Sequence, residues 1–132
     1  AALGVAQLER LDEFISIKRD IFNFYKQAFD KIEGLSLADV PDYCRNNHWL
    51  NILQIDSDSF GWDRDFIFSK FEKNKIQTRP VWFLSHMQLP YKNCQSYKIE
   101  NAFKLINNSL CLPSSTNLKE EEMSKVVKLL NE

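Results

Sequence analysis

The chain has 132 residues, of which 44% are hydrophobic, with three glycines and four prolines; this size and composition are typical of one folded domain with its own core. Its formal net charge of -1 excludes nucleic-acid binding through a basic surface, because phosphate recognition needs a surplus of lysine and arginine. No apolar run reaches the length of a membrane span, and no signal peptide is visible.

The first predicted element is one long amphipathic helix over residues 3–32. Its apolar residues recur at spacings of three and four in two neighbouring stripes, and Lys18 interrupts the first. Such a helix spans roughly 45 Å, so we expect part of it to pack outside this chain, and Gly34 to end it. Because the chain starts in helical register, we also expect a longer parent protein. The stripes are Leu8, Leu11, Ile15, Phe22, Tyr25 and Phe29, and Phe14, Ile17, Ile21, Phe24 and Ala28.

The middle of the chain is predicted to contain two strands and a helix. A polar loop covers residues 35–47, and HWLNILQID (48–56) has large apolar residues on both faces, which indicates a central strand. Asp63 is suited to cap the following helix. IQTRPVWF (76–83) is the second predicted strand, and Pro80 places it at a sheet edge or at a break.

The last part of the chain begins with a long irregular stretch. Residues 84–97 carry aromatics and prolines, which argue against disorder, so a loop of this length is expected to be functional. A short helix (99–107) leads to a third strand, LCLP (110–113), and an amphipathic helix closes the chain. This order predicts an α+β domain, with a small, mostly antiparallel sheet of about three strands covered by helices. The stripe of the last helix is Met123, Val126, Val127 and Leu130.

The cysteines and histidines allow two kinds of reactive site. Cys44, His48, His86 and Cys94 are zinc-binding residue types, but their spacings match no compact finger, so buried thiols and unrelated imidazoles are the simpler interpretation. A cysteine nucleophile beside His86 would lack an oxyanion loop, and Cys111 lies between two leucines, as in a core strand. Three cysteines without CxxC spacing favour reduced thiols in the cytosol. We therefore predict no metal site and no catalytic residue in this chain.

The segment TRPVWFLSHMQLPY (78–91) concentrates the remaining chemistry. Arg79 stands before a proline that ends the strand ladder, so its side chain can turn outward, and a guanidinium suits carboxylate or phosphate. His86 lies among aromatic residues, including Trp82 and Tyr91, where an imidazole could donate to a sugar or phosphate oxygen. The same residues are also explained by a purely structural role, in which the strand ends, the loop packs on the domain and Arg79 forms a local ion pair. Residue chemistry alone leaves both interpretations open.

Four segments of the chain, in order and at suitable spacing, carry a family pattern. They are AALGVAQLERLDEF (1–14), WLNILQIDS (49–57), IQTRPVW (76–82) with His86 and Tyr91 after it, and LCLPSSTNLKEEEM (110–123). Together they resemble the C-terminal part of the DegT/DnrJ/StrS sugar aminotransferases. These are pyridoxal-phosphate enzymes that place an amino group on a nucleotide-linked keto sugar.

The resemblance implies a fold-type I aminotransferase, a cytosolic homodimer whose active site lies between a large and a small domain and between subunits. Residues 1–34 would be the linking helix and residues 35–132 the small domain. The lysine and aspartate that hold the cofactor would lie in the missing N-terminal large domain, so we expect no cofactor-binding residue here and no activity in the isolated chain. The intact enzyme would transfer an amino group from an amino acid, expected to be glutamate, during cell-surface glycan biosynthesis, for example of lipopolysaccharide.

The resemblance also implies four substrate-binding residues. His86 matches the family histidine after the Arg-Pro segment and is expected to contact the nucleotide sugar. Arg79 is expected to hold an anionic group, such as the carboxylate of the amino donor, while Trp82 and Tyr91 line the pocket. The chain departs from the family at Ser85, because a proline commonly stands just before the histidine.

Two other functions fit the sequence. A non-catalytic interaction module would dock a partner through the apolar face of the first helix. A zinc module would bind metal in stoichiometric amount. A full-length gene that encodes an upstream domain with a pyridoxal-phosphate lysine would favour the aminotransferase.

Overall fold

The structure is a computed structural model that describes residues 1–131. Within them, two helices, two strands and two more helices follow one another before strands and helices alternate, and two 3₁₀ turns lie at Ser85–Met87 and Leu89–Tyr91. This arrangement confirms the predicted α+β class. The elements are α1 (Ala2–Glu9), α2 (Leu11–Phe29), β1 (Leu35–Leu37), β2 (Asn51–Ile55), α3 (Ser57–Phe60), α4 (Arg64–Lys73), β3 (Arg79–Pro80), α5 (Glu100–Asn107), β4 (Ser109–Leu112) and α6 (Glu120–Asn131).

The strands form one antiparallel sheet in the order β1–β2–β4–β3. β2 and β4 occupy the centre, with Leu53 opposite Leu110, as expected from the large apolar residues of β2. Successive side chains of a strand point to opposite faces. Leu110 therefore faces the core, while Cys111 faces the other side of the sheet, opposite Arg79 of β3.

One face of the sheet is covered by α2, α4 and α6 and forms the core. Residues from each layer are completely or almost completely buried, and burying one such apolar side chain stabilises the fold by about 1.5–3 kcal/mol. The core therefore joins the end of α2 to both central strands and to the last helix. The most deeply buried apolar side chains are Tyr25, Phe29, Leu53, Ile67, Phe71, Leu110 and Val126.

The prediction of a single helix over residues 3–32 is wrong. The helix is interrupted at Arg10, which has φ -109° and ψ 11°, and it continues as α2. No side chain of α1 is buried, so packing does not hold α1 in line with α2. Leu3 and Leu8 are accordingly exposed, so Leu8, the first residue of one predicted apolar stripe, has no covering surface within the described residues.

The helix also ends before the predicted glycine. α2 stops at Phe29, and turns separate it from Gly34, which has the left-handed φ of +79°. A Cβ at this glycine would lie 2.5 Å from the backbone nitrogen of Phe60. Gly34 is therefore required by a close approach between the start of β1 and α3, rather than by the helix end.

Two strand predictions need correction. β1 lies at the start of the predicted loop of residues 35–47, so the sheet has four strands rather than about three. Three residues are too short for a periodic signal, and β1 forms because Leu35 and Leu37 are buried and pair with β2. The predicted strand 76–83 is reduced to Arg79–Pro80 at the sheet edge, because proline has no N–H for a ladder.

Side-chain hydrogen bonds mark the starts of two helices, and the first of them confirms the prediction that Asp63 caps α4. The Asp63 carboxylate accepts a 2.7 Å hydrogen bond from the backbone nitrogen of Phe66 and so caps α4. At α6, Glu122 accepts a 2.8 Å bond from the backbone nitrogen of Lys119, which is the reach-back contact of a capping box. These local bonds fix where both helices enter the core.

Candidate functional site

A cleft of about 350 Å³ opens beside the edge of the sheet. Its walls come from α2, the residues before β2, the β3 edge and the chain after β4. Two cations, Lys18 and Arg79, share it with neutral hydrogen-bonding residues, and none of its lining residues is acidic. We refer to it as the Lys18–Arg79 cleft.

Arg79 enters the cleft from the sheet edge. It is the register partner of Cys111 across β3 and β4, and cross-strand partners project from the same face. Burial raises the pKa of the Cys111 thiol, and the Arg79 guanidinium opposes that shift. Arg79 itself is exposed, and within residues 1–131 it forms no salt bridge. Its side chain is therefore available to a ligand from outside the described chain.

Lys18 enters the cleft from α2. Its ammonium donates hydrogen bonds to the backbone oxygens of Ser114 and, at 3.2 Å, Trp49. These bonds tie the middle of α2 to the start of β2 and to the end of β4. Partial burial lowers the pKa of Lys18. The sequence did contain a signal for this residue, because Lys18 interrupts an apolar stripe, but its two partners are distant in sequence.

Ser114 fixes the floor of the cleft. Its Oγ accepts bonds from the backbone nitrogen and the side-chain Nδ2 of Asn51, at 3.1 and 3.0 Å, and donates to the backbone oxygen of Leu112 at 3.1 Å. Ser114 and Asn51 are both buried. The hydroxyl therefore uses all of its hydrogen-bonding capacity to hold the ends of β2 and β4 together, a role that the local sequence does not indicate.

Trp82 packs against Trp49, a second tryptophan, which lines the cleft. Its ring centroid lies 6.0 Å from that of Trp49, with the ring planes tilted by 35°. Both indoles remain largely exposed, at 64% for Trp82 and 65% for Trp49. Trp49 therefore lines the cleft beside the two cations, while the predicted Trp82 contacts Trp49 from outside the lining.

His86 and Tyr91 lie on the two 3₁₀ turns of the long loop, and neither lines the cleft. The imidazole of His86 packs edge-on against Phe103 of α5, with ring centroids 5.3 Å apart and an interplanar angle of 73°. Tyr91 is half-exposed. The four predicted substrate-binding residues thus fall into two groups, Arg79 with Trp82 and His86 with Tyr91.

The residues considered for zinc are not gathered into a site. Among residues 1–131, no group of three or more His, Cys, Asp or Glu side chains is close enough to hold a metal ion. Cys44 and Cys94 are exposed, and the His48 ring packs on Phe22 with centroids 4.2 Å apart. In the same part of the chain, no helix is long and apolar enough to cross a bilayer.

Comparison with known proteins finds similarity over almost the whole chain. A sequence model of the DegT/DnrJ/EryC1/StrS aminotransferase family matches residues 1–131. EpsN of Bacillus subtilis strain 168, whose name places it among pyridoxal phosphate-dependent aminotransferases, is 32% identical over 98% of this chain and 34% of its own length. The GDP-perosamine synthase of Vibrio cholerae is 30% identical over 96% of this chain and 34% of its own length.

The similarity extends to solved structures. The crystal structure of DesI in the presence of its TDP-sugar product superposes with a TM-score of 0.89 at 25% identity, over 98% of this chain and 33% of DesI. The chain thus spans about a third of the length of the curated relatives that it matches.

Proposed function

The chain belongs to the DegT/DnrJ/EryC1/StrS aminotransferase family, and we propose that it forms the small-domain part of an enzyme that transfers an amino group from glutamate to a nucleotide-linked keto sugar. In this proposal residues 1–34 link to a large domain and residues 35–132 form the small domain. The exposed Leu3 and Leu8 of α1 would pack against the rest of the enzyme. The intact protein would be a cytoplasmic homodimer that serves cell-surface glycan biosynthesis.

The observation that carries the proposal is the family match over residues 1–131. The relatives add the substrate class, because one is a GDP-perosamine synthase and another was crystallised with a TDP-sugar product. Their nucleotides differ while the sugar-nucleotide character is common to both. We therefore propose a nucleotide-linked sugar as substrate without assigning the nucleotide, the hexose or the aminated carbon.

The Lys18–Arg79 cleft does not fit pyridoxal phosphate as its holding site. A lysine that carries this cofactor needs an unencumbered amine, and the cofactor ring nitrogen is commonly partnered by a carboxylate. Lys18, the only lysine lining the Lys18–Arg79 cleft, is bonded to two backbone oxygens, and no carboxylate lines that cleft. The cofactor, which would supply the electron sink for the reaction, is therefore proposed to bind in a part of the enzyme outside this chain.

The part of this chain in the reaction would be substrate positioning. His86 projects from a loop rather than from the core, with one side of its ring against Phe103, and an imidazole so supported can donate to a sugar or phosphate oxygen. Tyr91 would line the same part of the pocket. Arg79 would hold an anionic group, and Trp82 would shield it from water. Such fixed contacts raise turnover by orienting the reacting groups.

A non-catalytic interaction module remains the second candidate, because α1 exposes Leu3 and Leu8, and α2 begins with Leu11, which is exposed to a lesser extent. In that case the apolar face would dock a separate protein. A protein with measurable transamination would exclude this alternative as the main function.

The test uses the full-length holoenzyme and a panel of nucleotide-linked keto sugars with glutamate, with products identified by mass spectrometry. We expect at least one amino sugar as product. His86→Ala should reduce turnover roughly 10–100-fold, because about 1.4 kcal/mol of lost transition-state binding corresponds to a factor of ten. Absorbance of the bound cofactor should be unchanged. The matched control is Tyr43→Ala, an exposed aromatic on another loop, which should retain full turnover.

Absence of any amino-sugar product across the panel would contradict the proposed function. Unchanged sugar kinetics in His86→Ala would remove His86 from the substrate pocket, while leaving the aminotransferase assignment intact.

A further inference from the structure

The lining of the Lys18–Arg79 cleft is one-sided in charge. Lys18 and Arg79 both reach it, while its other polar lining residues are neutral and none is acidic. Within residues 1–131 neither cation forms a salt bridge. The chain as a whole carries a net charge of -1, so this local excess of positive charge does not follow from a basic composition.

The hydrogen bonds of Lys18 leave one donor unused. An ammonium group has three N–H donors, and two of them go to the backbone oxygens of Trp49 and Ser114. The two carbonyls hold the ammonium at the cleft without neutralising its charge. A partly buried cation with a fixed position and one remaining donor is pre-organised to bind an acceptor, because little side-chain freedom is lost on binding.

Arg79 supplies a second, complementary group. It stands at the sheet edge opposite Cys111 and is exposed, and no hydrogen bond within the described residues occupies its guanidinium. A guanidinium binds two oxygens of one carboxylate or phosphate at once. An anion bound in the cleft would be attracted by both positive charges.

We propose that Lys18 and Arg79 together form a binding site for one oxyanion group, a carboxylate or a phosphate. The volume of about 350 Å³ lies at the small end of ligand pockets, which run from roughly 300 to 1,000 Å³, and suits one charged group rather than a whole sugar nucleotide. Which molecule carries the oxyanion depends on the proposed function, because the amino donor has carboxylates and the nucleotide sugar has phosphates.

The test measures anion binding rather than turnover. Inorganic phosphate and glutarate, which has no amino group to transfer, are titrated into the full-length holoenzyme at constant ionic strength, and binding is followed by ³¹P and ¹H NMR line broadening of the probes. Loading with cofactor keeps phosphate out of the site that the cofactor phosphate would fill. Arg79→Gln and Lys18→Met each remove one cation. Lys26→Met removes a cation from the same helix at a surface pair with Asp39 and serves as the charge-matched control.

We expect both cleft variants to weaken binding of at least one probe by about tenfold or more, as for loss of a charged hydrogen bond, while Lys26→Met binds as the parent does. Loss of phosphate binding identifies the nucleotide as the source, and loss of glutarate binding identifies the amino donor. Should Lys18→Met fail to fold, the exposed Arg79→Gln and the charge-retaining Lys18→Arg still decide the question. In that case, Arg79→Gln must weaken the binding of at least one probe, and Lys18→Arg must retain more than half of the parental affinity for that probe.

Unchanged affinity for both probes in Arg79→Gln, or equal weakening in Lys26→Met, would overturn the site. Because no turnover is required, such a failure differs from failure of the proposed function, in which the holoenzyme would make no amino sugar while the anion titrations remain readable.

Discussion

Replacement of Ser114 by alanine tests the hydrogen bonds beneath the cleft. The Oγ of Ser114 accepts hydrogen bonds from two donors of Asn51 and donates one to the backbone oxygen of Leu112. The side chains of Ser114 and Asn51 are both buried. Removing one partner of a buried hydrogen bond costs about 1–3 kcal/mol per group left unsatisfied. We count the backbone N–H of Asn51 fully and the other two groups in part. This gives a loss of about 2–4 kcal/mol for Ser114→Ala.

The assay is urea unfolding of the chain, followed by circular dichroism. For a slope of roughly 2 kcal/mol/M, the loss moves the unfolding midpoint down by about 1–2 M with the slope unchanged. Ser115→Ala is the matched control, because Ser115 is exposed and its hydroxyl bonds only to Asn117 nearby; it should change stability by less than about 0.5 kcal/mol. Equal effects of the two substitutions would refute the assignment of Ser114 as the lock between β2 and β4.

Three further predictions concern the fold. Asp63→Ala removes the cap of α4 and should cost about 1 kcal/mol in urea unfolding, against no measurable loss for Asp42→Ala in an exposed loop. Gly34→Ala should destabilise strongly, since a Cβ would meet backbone at 2.5 Å, whereas Gly4→Ala, with nothing within 4 Å, should be neutral or stabilising by up to about 1 kcal/mol. Burial, followed by a nearby arginine, lowers the pKa of His48 below its usual 6.5 in the folded state. Between the folded pKa and 6.5 the unfolded state therefore binds more protons, and the free energy of unfolding should fall as the pH drops through this range. His48→Asn, which tolerates the left-handed backbone there (φ 48°), should show a smaller fall between pH 7 and 5; an identical pH profile would remove His48 as its source.

Local patterns predicted much of the fold. The apolar residues of β2, the capping carboxylate of Asp63 and the period of α6 are signals carried by neighbouring residues, and all three elements are present. β1 escaped prediction because its strand conformation depends on pairing Leu35 with Ile55, 20 residues away. The break at Arg10 was not predicted because apolar residues continue at helical spacing across it. The sequence pattern does not reveal that α1 lacks packing contacts to hold it in line with α2.

The candidate site was predictable in its residue types but not in its assembly. Arg79 and Trp82 attracted attention through their own chemistry. Lys18 and Ser114 did not, because their contacts join residues 96 and 63 positions apart and depend on β2 lying beside β4. The local signal for Lys18 was its position as a charged residue inside an otherwise apolar helical stripe.

The most direct test of the account follows a labelled nitrogen. The full-length holoenzyme is incubated with [¹⁵N]glutamate and nucleotide-linked keto sugars, and the nucleotide-bound products are weighed by mass spectrometry. We predict an amino sugar one mass unit heavier than the product made with unlabelled glutamate. A holoenzyme that leaves every keto sugar in the panel without ¹⁵N would contradict the claim that this chain is part of a nucleotide-sugar aminotransferase.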